Sequence, residues 1–179
     1  MILTVAGSLV LYLTFLRFAV ALVNLVSRPY LPFVTRDRSR LPSLSVLIPV
    51  RNEEKNIGTL LGSLSLLPYE KAEIIVYDDG STDSTAEVIA ACARVDRRIR
   101  CISGDELPEG WTGKNHACHR LAAEAANEYL LFLDADVTVG EDLLKRAVSY
   151  ASRHRLALLS MFPRQKMRSR GEKIVVPLM

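Results

Sequence analysis

Two carboxylates, Asp134 and Asp136, close the run YLLFLDADV, in which Tyr129 to Leu133 are all apolar or aromatic. A short apolar run of this kind reads as a buried strand. Carboxylates are costly to bury without compensation. Two of them two residues apart on an extended chain point to the same side. As hard oxygen donors they suit Mg2+ or Mn2+, cations that also take phosphate oxygens. The plainer alternative is a pair of acids at a strand exit that caps the next turn.

Two further polar stretches carry chemistry. Asp78-Asp79-Gly80-Ser81-Thr82-Asp83 leaves an apolar run through a glycine and opens a helix. Its carboxylates and backbone N–H groups suit a polar ligand such as a base with a ring N–H, or else form an ordinary turn and N-cap. Glu109-Gly110-Trp111-Thr112-Gly113-Lys114 also precedes a helix. Lys114 there suits a phosphate, which the helix dipole also favours, and Trp111 either stacks on a ring or packs. The sequence has no GxxxxGK[ST], so this is not a P-loop. His116, Cys118 and His119 suggest zinc, but no fourth ligand has a zinc-like spacing. The three cysteines, Cys92, Cys101 and Cys118, form no even framework and read as reduced thiols of a cytosolic domain.

The elements that must position these residues alternate. LSVLIPV (Leu44–Val50) predicts a strand. A helix comes next, with Asn52 as cap, Glu53 and Glu54 at its N-terminus, and Ile57, Leu60, Leu61 and Leu64 on one face. AEIIVYD (Ala72–Asp78) is the second strand. Ser84 and Glu87 predict a capping box for a helix reaching Val95. RIRCIS (Arg98–Ser103) is the third strand. Cys118, Leu121, Ala122 and Ala125 mark the apolar face of the next helix, and YLLFLD the fourth strand. Leu144, Ala147, Val148 and Ala151 mark another helix, and LALLSM (Leu156–Met161) a fifth strand. This alternation implies βαβ units, a mostly parallel sheet and ligands beyond the carboxyl ends of the strands.

The 179 residues allow one domain with a sizeable core plus an appendage; 49% are apolar and 24% charged, which excludes a disordered chain. Ile2 to Val26 is nearly all apolar, interrupted by Arg17, and is long enough for an uncleaved membrane anchor; a buried helix is the alternative. Arg28 to Pro42 reads as a basic, proline-containing linker. Its Arg28, Arg36, Arg38 and Arg40 place the remainder of the chain on the cytoplasmic side. The expected organisation is an anchor over 1–27, a linker over 28–42 and an α/β domain over 43–179. Between Lys145 and Lys173 basic residues dominate, with Glu172 the one acid after Asp142. That end suits a membrane surface or an anionic substrate, or forms a solvated helix face. No aromatic residues interleave with it as in a nucleic-acid module, so no nucleic-acid partner is expected.

In this order, SVLIPVRNEEKNI, IIVYDDGSTDST, GWTGKNHACHRLA and YLLFLDADV resemble the family 2 glycosyltransferases of GT-A fold, a Rossmann-like, mostly parallel sheet with flanking helices. The resemblance covers Leu44 to Met161. The GWTGK loop and the end of the chain look more specifically like membrane-bound members of carotenoid and hopanoid biosynthesis. The resemblance implies a UDP-sugar donor, a divalent metal (Mg2+ or Mn2+) and a lipid or membrane-embedded acceptor. It implies that Pro49, Arg51, Asn52 and Glu53 line the nucleotide pocket, and that Asp79, supported by Asp78, contacts uracil. Lys114 would lie near the donor, Asp134 towards ribose and sugar, and Asp136, with Asp134, at the metal. The family takes its general base from a later acidic motif that this sequence lacks, so the expectation is a donor-binding half with a cytoplasmic catalytic domain on a single-pass anchor. Two alternatives remain: a non-catalytic nucleotide-sugar-binding fragment, and a haloacid-dehalogenase-type phosphatase, whose hhhDxDxT pattern LFLDADVTV matches, with Ser160 after a hydrophobic strand.

Overall fold

A computed structural model describes residues 2–27, 31, 41–161, 169 and 171. The linker arginines and the basic residues Arg164 to Lys173 lie outside the described residues. The chain divides into two compact units, Met1–Pro32 and Phe33–Met179.

The first unit is helix α1 (Ile2–Ser27). Its window Val5–Val23 has mean hydropathy 1.9 and none of it is buried. Exposed apolar side chains on nearly every side are the opposite of what a core helix shows. The helix is long and apolar enough to cross a membrane. Thr14 returns its hydroxyl to the Val10 carbonyl at 2.8 Å, so it adds no unpaired polar group.

In the second unit, strands β1 (Leu44–Val50), β2 (Ala72–Asp78), β3 (Ile99–Ser103) and β4 (Tyr129–Phe132) form one sheet of order β3-β2-β1-β4. All the pairings are parallel. Val46, Ile48, Ile74 and Val76 point to one face. There they meet α2 (Ile57–Ser65) through Ile57, Leu60, Leu61 and Leu64, α3 (Thr85–Val95) through Ile89, and α5 (Leu143–His154) through Leu144 and Val148. Leu47, Ile75 and Tyr77 point to the other face, against Ala117 and Leu121 of α4 (Gly113–Glu124). Period 2 in the strands and period 3.6 in the helices thus agree on both layers. A fully buried Leu or Ile contributes about 1.5–3 kcal/mol, so these layers fix the sheet and its rims.

Several expectations are corrected. The helix after β1 begins at Ile57, not near Asn52. Asn52 adopts a left-handed conformation (φ 57°) that leaves the helix path. Ser84 precedes α3, but its side chain makes no cap bond. Asp83 takes over, accepting from the Thr85 N–H at 3.1 Å. Strand β4 is an edge strand, not a buried one, and Leu130 and Phe132 on one of its faces are exposed. The buried face of α4 runs through His116, Ala117 and Leu121, with Cys118 only half-buried. Residues 156–161 form no strand. Arg155 turns left-handed (φ 51°), and the Leu156 N–H bonds back to the Ala151 carbonyl at 2.9 Å, closing α5 instead.

Candidate functional site

Because all four strands are parallel, β1, β2 and β4 end at one rim. The chain runs outward from β1 through β2 to β3, then crosses back to place β4 on the other side of β1. The topological switch point therefore lies between β1 and β4, where α/β sheets open a crevice. The N-termini of the crossover helices face the same rim.

The exits of β1 and β2 are laced together. The Asp79 N–H bonds the Val50 carbonyl at 2.9 Å. The Asn52 N–H donates to Ser81 Oγ at 2.9 Å, and Ser81 in turn donates both its hydroxyl and its N–H to Asp78 Oδ1. Asn52 Oδ1 accepts from the Thr82 N–H at 2.8 Å. The Glu53 N–H donates to Thr85 Oγ1 at 2.8 Å, and the Glu54 N–H to Asp83 Oδ2 at 3.2 Å. The hydrogen bond from Thr85 holds the Asp83 carboxyl below the usual carboxylate range. Asn52 and Asp78 are thus spent on building the rim. Glu53 Oε2 accepts from Asn56 Nδ2 at 2.8 Å. Pro49 is half-buried in β1, opposite Tyr77 of β2.

Of the remaining charged residues, Arg51, Lys114, Asp134 and Asp136 are exposed, and Asp79 is mostly buried. Arg51 Nη1 lies 3.5 Å from Asp79 Oδ2. Lys114 Nζ donates to Asp134 Oδ1 at 2.7 Å, both side chains being more than half exposed. Asp134, and more weakly the charges of Cys118 and Asp136, hold the Lys114 ammonium above its ordinary pKa. Asp134 and Asp136 do not lie on extended chain as expected. The Val137 N–H returns to the Asp134 carbonyl at 3.3 Å, and 135–136 form a turn. Among the described residues Asp136 makes no side-chain hydrogen bond, although its charge reaches Lys114.

Gly113 escapes the motif reading because a glycine at a helix start carries no special signal. A Cβ on Gly113 would lie 2.7 Å from Asp79 Oδ2, a separation real Cβ atoms do not show. The first residue of α4 therefore has to be glycine for Asp79 to sit where it does. Trp111 is 42% exposed and packs edge-on against buried His116 (5.7 Å) and at a tilt on His119 (5.2 Å). His116 also meets Tyr77 edge-on at 6.2 Å. Trp111 therefore both packs and presents a face to solvent. Among the described residues, no three His, Cys, Asp or Glu side chains gather around a common metal position. His116, Cys118 and His119 thus form no zinc site. Asp134 and Asp136 supply two hard oxygen donors, which fits Mg2+ or Mn2+, bound through one or two carboxylates with phosphate and water completing the shell.

A parallel sheet with helices on both faces is the GT-A arrangement. Residues 45–174 match the pattern of glycosyl transferase family 2, and the chain belongs to that family. Over 130 residues it is 35% identical to the 4,4'-diaponeurosporenoate glycosyltransferase of Staphylococcus haemolyticus, covering 72% of this chain and 34% of that protein. It thus spans about a third of that relative's length. The structure of S. aureus TarS 1–349 in complex with UDP superposes with TM-score 0.54 at 30% identity, over 63% of this chain and 33% of that one. Glucosyl-3-phosphoglycerate synthase from Mycobacterium tuberculosis, in complex with Mn2+, UDP and glucosyl-3-phosphoglycerate, gives TM-score 0.50 at 28% identity, over 62% and 39% of the two chains. Family membership displaces the phosphatase alternative, and the strand that alternative needs before Ser160 is not formed.

Proposed function

We propose that this chain binds a UDP-sugar with Mg2+ or Mn2+ at the rim between β1 and β4, as the donor side of a membrane-anchored glycosyltransferase with a lipid acceptor. The observation that carries the reading is the gathering of Arg51, Asp79, Lys114, Asp134 and Asp136 along the carboxyl rim of the sheet, with α4 opening beside them. Asp79, fixed by the Val50 carbonyl and by Gly113, presents a carboxylate to a ring N–H of uracil, with Asp78 holding its loop. Pro49 and Arg51 to Glu53 form the wall beside it. Lys114 meets the diphosphate, supported by the N-terminus of α4. Asp134 faces ribose and sugar and, with Asp136, holds the metal. When bound, that metal neutralises charge developing on the UDP leaving group.

UDP in the two related structures supports the donor class, and Mn2+ in one of them supports the metal. The carotenoid-type carboxylate in the staphylococcal relative's name supports an apolar acceptor. Helix α1 and the arginines after it support a membrane anchor with the domain on the cytoplasmic side. Glu172 is the only acid after Asp142, and no general base is assigned to this sequence. The test is calorimetric titration of the full chain in detergent with UDP and with GDP, each with and without Mn2+. UDP should bind more tightly with Mn2+ and more tightly than GDP. A folded sample that binds neither nucleotide would overturn the reading.

A further inference from the structure

The 2.7 Å contact between Lys114 Nζ and Asp134 Oδ1 puts a cation on an oxygen that the proposed function gives to the metal. Asp136, two residues on, carries the second carboxylate and feels the same ammonium. A divalent ion arriving alone must share Asp134 with that cation or displace it, and like charges at this distance repel. A diphosphate changes the balance, because it offers Lys114 another anion. The side chain is 66% exposed and rooted in the first turn of α4, so it is free to swing towards a phosphate over the helix N-terminus.

We propose that Lys114 is a positioning residue that exchanges partners, leaving Asp134 for the diphosphate, and so makes the rim select a metal–nucleotide pair over the bare metal. Lys114 thereby couples two ligands that need not touch it at once. By linkage, whatever factor the metal adds to nucleotide affinity, the nucleotide adds to metal affinity. Lys114 raises that factor from both sides, by disfavouring the lone ion and favouring the pair. The inference rests on the donor-site reading above.

The experiment titrates the full chain in detergent with Mn2+, followed by the electron paramagnetic resonance signal of the free ion, with and without UDP. It compares wild type, Lys114→Met and Lys114→Arg. Exposed ion pairs are worth about 0.2–1 kcal/mol, so Lys114→Met should bind Mn2+ alone about 1.4-fold to fivefold more tightly. It should also bind UDP in the presence of Mn2+ more weakly, so that the coupling factor falls. Lys114→Arg, which keeps the charge, should retain weak binding of the lone ion. A purely structural lysine would leave the coupling factor unchanged. Metal-dependent UDP binding in wild type, with unchanged or weaker Mn2+ binding in Lys114→Met, overturns this inference and leaves the donor site standing. Absence of metal-dependent UDP binding in folded wild type overturns both.

Discussion

The two ends of the parallel sheet treat charge in opposite ways. At the amino end, Arg98 donates from Nη1 to the Leu67 and Tyr69 carbonyls, both at 3.2 Å, and from Nη2 to the Leu64 and Ser65 carbonyls at 3.4 and 3.0 Å. It also pairs with Asp96 at 2.7 Å, and the same guanidinium reaches the last carbonyls of α2, Leu64 and Ser65, from 34 and 33 residues away in sequence. Beside it, Glu73 accepts from Ser45 Oγ, the Ala126 N–H and Asn127 Nδ2, while Arg100 approaches at 3.8 Å. Every member of this end is committed to another part of the fold. At the carboxyl end, Arg51, Lys114 and Asp134 are mostly exposed and each is held by one ion pair. The difference teaches that the ionic residues at the amino end join elements together, whereas at the carboxyl end Asp78 and Asp83 do so and Arg51, Lys114 and Asp134 keep capacity for a ligand.

The largest expected effect breaks the amino end. Arg98→Met removes the guanidinium from the Asp96 carboxylate and from four carbonyls, of which Leu64, Leu67 and Tyr69 keep a backbone donor, and should cost about 3 kcal/mol in chemical denaturation. The folded fraction should keep its UDP affinity; a matching loss of affinity would show that the two ends are not separable. Acid should probe the same pair. Its hydrogen bond with Arg98 lowers the Asp96 pKa to about 2, from an ordinary 3.8. A depressed carboxylate contributes stability that is present above its unfolded pKa and lost as pH falls through the folded one. Stability should therefore fall by on the order of 1–2 kcal/mol between about pH 4 and pH 2. Arg98→Met should flatten that limb, and an unchanged limb would contradict the assignment.

Gly113→Ala sharpens the comparison from the other end. Its Cβ would collide with Asp79 Oδ2, while alanine suits a helix better than glycine. UDP affinity should drop about tenfold, some 1.4 kcal/mol, with little change in melting temperature. Equal UDP binding by the variant would remove Asp79 from the site. The smallest effect is on stability in Lys114→Met. Its exposed pair with Asp134 should contribute no more than about 1 kcal/mol to folding, read from the urea midpoint.

Much of the frame is legible from residue pattern. Leu60, Leu61 and Leu64, and likewise Leu144, Ala147, Val148 and Ala151, recur at helical spacing, and all are buried as that spacing requires. β1 and β2, read from LSVLIPV and AEIIVYD, keep the same bounds in the structure. What fails depends on partners distant in sequence. Asn52-Glu53-Glu54 carries good helix-start chemistry, yet Asn52 goes to Thr82, thirty residues away. An apolar run such as YLLF does not say whether its strand is central or at an edge. LALLSM has strand composition but no ladder partner among the described residues. At the site, the spacing of Asp134 and Asp136 is visible, but the Lys114–Asp134 pair is not. It depends on where the fold sets the first turn of α4, and the same holds for Gly113 against Asp79. Arg98 reads as the first residue of the third strand until the structure starts that strand at Ile99 and places the end of α2 beside it.

The most direct measurement titrates wild type, Asp136→Ala and Glu73→Ala with UDP, with and without Mn2+, following the fluorescence of Trp111, the single tryptophan, which lies beside α4. Each variant's melting temperature is recorded in parallel. Asp136→Ala should melt like wild type and lose the metal-dependent gain in UDP affinity. Glu73→Ala should melt earlier and, while folded, bind as wild type does. Unchanged metal-dependent binding in Asp136→Ala, or an equal loss of affinity in Glu73→Ala, would contradict the division of labour between the two ends.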